Sequence, residues 1–77
     1  MRQALDEPTL KALLLVDGNR EFRATRSGDA GWQLEARLGG RWLYIRSDRM
    51  PVRRWASLTA LGRFCEANGI RALIVEL

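Results

Sequence analysis

The chain has 77 residues, of which 47% are hydrophobic and 29% are charged, and it carries a formal net charge of +4. This composition is too apolar for a disordered chain, and the length fits one small domain whose stability would gain from homodimerisation. The sequence contains no histidine and one cysteine, so it lacks an intrachain disulfide and the residues that most zinc sites and nucleophile–base pairs require. We therefore predict a non-enzymatic protein without a metal or other cofactor.

Neither a membrane span nor a secretion signal is visible in the sequence. No apolar run approaches the roughly 20 residues that a transmembrane helix needs, and residues 1–8 lack the apolar core of a signal peptide. The single Cys65 is compatible with a reducing compartment. Lys11 is the one lysine among 13 basic residues, and this arginine bias indicates a GC-rich bacterial genome. The sequence thus predicts a cytoplasmic bacterial protein.

The first predicted helix covers residues 6–16 and follows a loose terminus at residues 1–5. Asp6 is a suitable N-cap because its carboxylate can accept hydrogen bonds from the first turn. Apolar residues at helical spacing form one stripe, made of Leu10, Leu13 and Leu14. Leu15 and Val16 widen this stripe, so we expect the helix to be buried on more than one side.

A predicted turn at residues 17–19 leads into three strand-like runs, at 21–26, 32–38 and 41–46. The pair Gly39-Gly40 is typical of a two-residue hairpin turn, which fixes the register of the last two strands. Facing residues lie on the same side of a sheet. One side is therefore the predicted core face, with Trp32, Leu34, Ala36, Leu38, Leu43 and Ile45.

The opposite face of these strands combines arginine, polar and aromatic side chains. It is predicted to carry Arg23, Thr25, Gln33, Glu35, Arg37, Trp42, Tyr44 and Arg46. Trp42 and Tyr44 allow three interpretations: burial beneath the first helix or a dimer partner, an open platform for stacking single-stranded bases, or a protein-binding surface. For Glu35 we expect a cross-strand ion pair.

The remaining chain predicts a turn at residues 47–51, a short extended run at 52–55, a helix and a final strand at 72–77. Ser57 is the expected helix N-cap, and Asn68-Gly69 is the expected helix end. The apolar stripe of this helix comprises Leu58, Leu61, Phe64 and Cys65. If the extended run and the final strand join one sheet, they should form a right-handed parallel crossover.

These elements predict a single α+β domain over residues 1–77. Its sheet would be an antiparallel meander of four to five strands, with an N-terminal helix and a second helix before the last strand. No linker, repeat or low-complexity segment divides the chain.

The excess positive charge is concentrated between residues 20 and 54, where nine arginines and four acids give a net charge of +5. Phosphate contacts need arginine or lysine clustered on one surface. The candidates for contact with nucleic acid or a protein partner are Arg23, Arg37, Trp42, Tyr44, Arg46, Arg49, Arg53 and Arg54. A solvated basic turn is the alternative for the last three, and Trp55 is expected to pack beside the second helix. With Arg63 as its one basic residue, that helix does not predict base reading in a duplex groove.

Residues 52–77 read V-R-R-W-A-S-L-T-A-L-G-R-F-C-E-A-N-G-I-R-A-L-I-V-E-L. This segment resembles the C-terminal part of small proteins from plasmids and integrating elements, some of them labelled partition-associated. Trp55, Ser57-Leu58, Gly69-Ile70 and Val75-Glu76 carry the resemblance, and Thr59 stands where that family usually has aspartate. The resemblance implies an accessory role in DNA maintenance in bacteria and implies no catalytic residue.

Two functions follow as hypotheses. The first is a non-enzymatic accessory or interaction module of a bacterial mobile element, dimeric and linked to plasmid or DNA maintenance. The alternative is direct binding of single-stranded DNA or RNA by the arginine-rich, aromatic sheet face. The expected partners are a second copy of the chain and either nucleic acid or a DNA-maintenance protein, without a membrane or a metal.

Overall fold

A computed structural model describes residues 4–16, 20–29 and 31–77 as two helices packed on one face of a five-stranded sheet. In chain order the elements are β1 (Ala4–Leu5), α1 (Glu7–Val16), β2 (Phe22–Arg26), β3 (Trp32–Leu38), β4 (Arg41–Ile45), α2 (Leu58–Ala67) and β5 (Ile74–Val75). The predicted α+β class is confirmed. The turn expected at 17–19 lies outside the described residues.

The sheet is mixed, so the prediction of an antiparallel sheet is wrong at both edges. Its strand order is β1-β4-β3-β2-β5, in which the three central strands form an antiparallel meander. β5 pairs parallel with β2, and β1 pairs parallel with β4. The expectation of a loose terminus also fails at β1, because Leu5 is buried beside Ile45 and its carbonyl accepts the N–H of Arg46 at 2.8 Å.

The hairpin between β3 and β4 has the predicted register. Leu38 faces Arg41 and Arg37 faces Trp42, and the pairing continues to Glu35 and Tyr44. Gly39 and Gly40 have φ angles of +59° and +85°, which a two-residue turn requires and which glycine adopts without steric cost. The turn chemistry therefore determines which side chains of β3 and β4 share a face.

The extended run predicted at residues 52–55 is not a strand of the sheet, so the condition for the expected parallel crossover to the last strand is not met. Trp55 instead makes an isolated antiparallel bridge to Trp32, with two N–H···O hydrogen bonds of 2.8 Å. The N–H of Arg53 donates to the carbonyl of Ile45 at 2.7 Å. These bonds attach the segment to the ends of β3 and β4, whereas β5 lies beside β2.

Both helices begin at the predicted caps. The N–H of Thr9 donates to Asp6 Oδ1 at 2.9 Å, and the N–H of Ala60 donates to Ser57 Oγ at 3.1 Å. A hydrogen bond from the Thr9 side chain, followed by the one from its N–H, is the main reason that the pKa of Asp6 lies below its usual value. A carboxylate with a lowered pKa stabilises the fold above its unfolded-state pKa, and this contribution is lost as the pH falls through the folded-state value.

One apolar cluster lies between the helices and the sheet. Leu10 of α1 is fully buried in the same cluster as Leu34 and Ile45, so α1 covers the core face of the sheet. Leu15 and Val16 are 89% and 86% exposed, which contradicts the expected burial of α1 on more than one side. The predicted core face of the meander is confirmed, with Leu38 partly buried at its margin.

Cys65 is part of this cluster and is 2% exposed, in agreement with its place on the predicted apolar stripe of α2. Burial raises the pKa of its thiol, so it is a poor nucleophile at neutral pH. Among the described residues, neither helix is long and apolar enough to cross a bilayer.

Candidate interaction face

The sheet face opposite the helices has no described element packed on it. We call it the open face and define it by the residues that share it through strand register: Ala4, Arg23, Thr25, Gln33, Glu35, Arg37, Trp42, Tyr44 and Ile74. Burial of Trp42 and Tyr44 beneath the first helix, which was one interpretation of the sequence, does not occur. Both rings are half-buried.

Arginine side chains cover the ring of Trp42. The guanidinium carbon of Arg23 lies 4.1 Å from the centroid of the Trp42 ring, and that of Arg37 lies 6.0 Å from it. Arginine at such distances makes a cation–π contact with the indole. Arg23 therefore occupies one face of the Trp42 ring, and a base could stack on that face only if it displaced Arg23.

Glu35 is the buried acid of the open face, with 5% of its surface exposed. It lies on the central strand β3 between Arg23 and Tyr44. Its carboxylate accepts hydrogen bonds from Arg23 Nη2 at 2.9 Å and from Thr25 Oγ1 at 2.8 Å. The predicted cross-strand ion pair is confirmed, and its partner is Arg23. The hydrogen bond to Glu35 is the main cause of the raised pKa of the Arg23 guanidinium.

The other arginines predicted for this surface also have carboxylate partners. Arg37 lies 3.3 Å from Glu21 Oε1, and Arg46 lies 3.1 Å from Asp6 Oδ2. Arg23 has a second acid, Glu76, whose Oε1 is 3.4 Å away. Each of the three cations therefore faces a carboxylate, and a phosphate group would have to compete with an existing ion pair at every one of them.

Arg53 packs against aromatic rings and pairs with a carboxylate, so it is not free to bind a phosphate. Its guanidinium carbon lies 4.9 Å from the ring centroid of Trp55 and 4.8 Å from that of Phe64, and Nη1 is 3.4 Å from Glu7 Oε1. Trp55 is 6% exposed, and its ring centroid is 5.0 Å from that of Phe64. The expected packing of Trp55 beside the second helix is confirmed.

Arg49 and Arg54 are exposed and form no ion pair within the described part of the chain. Ser47 orders the turn that contains Arg49, because its N–H donates to the Met50 carbonyl and its Oγ accepts the Met50 N–H, both at 3.0 Å. The eight candidate residues thus do not form one site. Five belong to the open face or its border, and Arg53 belongs to the packing around α2. Arg49 lies on this turn, and Arg54 lies in the segment after it.

Sequence reasoning predicted an ion pair for Glu35 but not its partner, and it missed the other acids that neutralise the open face. The pair of Arg23 and Glu35 follows from the β2–β3 register, which the sequence leaves undetermined because the intervening loop has no single standard length. The pair of Arg46 and Asp6 joins residues 40 positions apart. It depends on β1, a strand of two residues that carries no recognisable pattern.

Within residues 4–16, 20–29 and 31–77, no group of three histidine, cysteine, aspartate or glutamate side chains is arranged to hold a metal ion. Comparison with known proteins found no family model, no curated protein and no solved structure that matches this chain.

Proposed function

We propose that this chain is a non-enzymatic interaction module that binds a protein surface through its open face. The observation that carries the proposal is a sheet face that presents Trp42 and Tyr44 and whose arginines are already paired with carboxylates. Tryptophan, tyrosine and arginine are enriched at the energetically important centres of protein interfaces. Paired charges also make the face nearly neutral, which suits an amphipathic protein surface better than a row of phosphates.

Nucleic-acid binding is the second candidate function, and a different surface supports it. Arg49 and Arg54 are exposed and have no ion pair in the described structure, so they can approach phosphates without losing a carboxylate partner. Contacts of this kind give salt-sensitive binding with little sequence preference. This candidate does not require bases to stack on Trp42.

The link to plasmid or DNA maintenance rests on the resemblance of residues 52–77 and stays a prediction. An interaction module of this size would act as an accessory protein, which agrees with the role that the resemblance implies. The absence of enzymatic activity and the cytoplasmic location likewise stay predictions.

Photocrosslinking tests the proposed function and captures the partner in the same experiment. Benzoylphenylalanine would replace Gln33 on the open face and, as the matched control, Thr59 on the exposed side of α2. Each variant would be irradiated in an extract of the organism that encodes the chain. We expect protein adducts at position 33 and none at position 59, because only the first lies within the proposed interface.

Each other outcome contradicts the proposal. Adducts at position 33 that nuclease digestion removes would support nucleic-acid binding by the open face. Equal adduct formation at both positions would indicate unspecific contact, and no adduct at position 33 would leave the open face without a protein partner. A circular dichroism spectrum of each variant checks that the fold is retained.

A further inference from the structure

β5 is an edge strand with exposed apolar side chains. It pairs with β2 on one side, and no described strand lies on its other side. Ile74 is 52% exposed and Val75 is 42% exposed. A groove of about 290 Å³ borders the strand, lined by Phe22, Ala72, Leu73 and Ile74 with Arg20 and Glu21 beside them.

The outer side of β5 has hydrogen-bonding groups available for another strand. The N–H of Glu76 donates to the Ala24 carbonyl at 2.9 Å, which directs the backbone of Glu76 toward β2. Backbone groups of successive strand residues point to opposite sides. The N–H and C=O of Val75 therefore point away from β2, along the edge of the sheet.

The edge also lacks the features that usually prevent strands from pairing. Residues 72–77 read A-L-I-V-E-L and contain neither lysine nor proline, which commonly protect edge strands. The one charged residue, Glu76, forms an ion pair with Arg23 of the same chain. At the other edge of the sheet, β1 is followed at once by the acidic residues Asp6 and Glu7, which makes it less suited to strand pairing.

We propose that two copies of this chain dimerise by antiparallel pairing of their β5 strands about a two-fold axis at Val75. This inference concerns the sheet edge and does not depend on what binds the open face. In this arrangement Val75 of each copy exchanges two backbone hydrogen bonds with Val75 of the other. The two sheets join into one of ten strands, and their open faces lie on the same side.

The sequence around Val75 is self-complementary in this register. A two-fold interface brings the same surface of both copies together, so each residue must suit its partner. Leu73 faces Leu77 of the second copy, which places apolar side chains opposite one another. Ile74 faces Glu76 of the second copy, so the two acids are not set directly against each other. The short strand limits the buried area, and we expect micromolar rather than nanomolar affinity.

Substitution of Val75 by proline tests the backbone pairing. Val75→Pro removes the outward N–H but leaves the Glu76 N–H that bonds to β2, and proline is tolerated in edge strands. Val75→Thr is the matched control because it keeps the N–H and the β-branched shape. In sedimentation equilibrium, the wild type and Val75→Thr should reach twice the monomer mass at high concentration, and Val75→Pro should stay monomeric.

A charge pair tests the position of the two-fold axis and guards against misfolding of the proline variant. Val75→Lys and Val75→Glu each place like charges opposite one another in the homodimer, so each variant alone should dimerise at least about tenfold more weakly. An equimolar mixture of the two should recover dimers, because opposite charges then face each other. A monomeric wild type would overturn the inference, and so would Val75→Lys and Val75→Glu variants that each dimerise alone as well as the wild type. So would a mixture that does not recover.

Discussion

Replacement of Gly31 by alanine is expected to lower the free energy of unfolding by about 3 kcal/mol. Gly31 has a φ angle of +103°, a conformation that residues with a side chain rarely adopt. A Cβ atom at this position would also overlap the carbonyl oxygen of Trp55, which accepts the N–H of Trp32. The substitution therefore strains the backbone at residue 31 and pushes residues 52–55 away from the end of β3 to which they bond.

Gly28→Ala is the matched control for this prediction. Gly28 also has a positive φ, of +55°, but a Cβ there would meet no atom within 4 Å. It should cost about 1 kcal/mol, from backbone strain alone. Urea denaturation of the two variants measures the difference. If both substitutions lowered the free energy of unfolding equally, the close approach of Trp55 to Gly31 would add no cost, and the prediction would be wrong.

Arg23→Met is expected to destabilise the fold by about 2 kcal/mol, because it leaves the buried carboxylate of Glu35 without its cation. This value is below that of a fully buried pair, since the Arg23 side chain is 25% exposed and water can reach the vacated position. Thr25 would remain as a hydrogen-bond donor to Glu35. The measurement is again the free energy of unfolding in urea.

A double-mutant cycle separates the ion pair from the other contacts of Arg23. The variant with both Arg23→Met and Glu35→Leu has no buried charge left, and it should lie within about 1 kcal/mol of the wild type. Restored stability would show that Arg23 is needed to neutralise Glu35. If Arg23→Met alone were as stable as the wild type, Arg23 would be free to bind phosphate, and the interpretation of the open face would lose its main support.

The central meander could be predicted from the sequence because local chemistry specifies it. Gly39 and Gly40 select the hairpin turn, and alternation along β3 then assigns every side chain to a face. The same reasoning places Arg37, Trp42 and Tyr44 on one surface. The helix caps at Asp6 and Ser57 were likewise predictable, since one side chain satisfies the free N–H groups of the first turn.

The sheet edges could not be predicted because they depend on long-range pairing. β1 contains two residues, too few for a periodic pattern, and was not predicted. A final strand was predicted at 72–77, where β5 lies, but its parallel partner β2 is far away in the sequence. The extended run predicted at 52–55 did not join the sheet as a strand, because its backbone bonds to the ends of β3 and β4 instead. The open face is neutral because of ion pairs between residues far apart in the sequence, so this property could not be predicted either.

The claim that the open face does not bind bases is tested most directly by a fluorescence-anisotropy titration with labelled single- and double-stranded oligonucleotides. The wild type and Trp42→Ala would be compared at low and near-physiological salt. We predict that any binding at low salt falls steeply as salt is added, as expected for contacts to exposed arginines, and that Trp42→Ala leaves it unchanged. Binding that persists near physiological salt and is lost in a folded Trp42→Ala variant would contradict the account, because it would make the open face a platform for stacking bases.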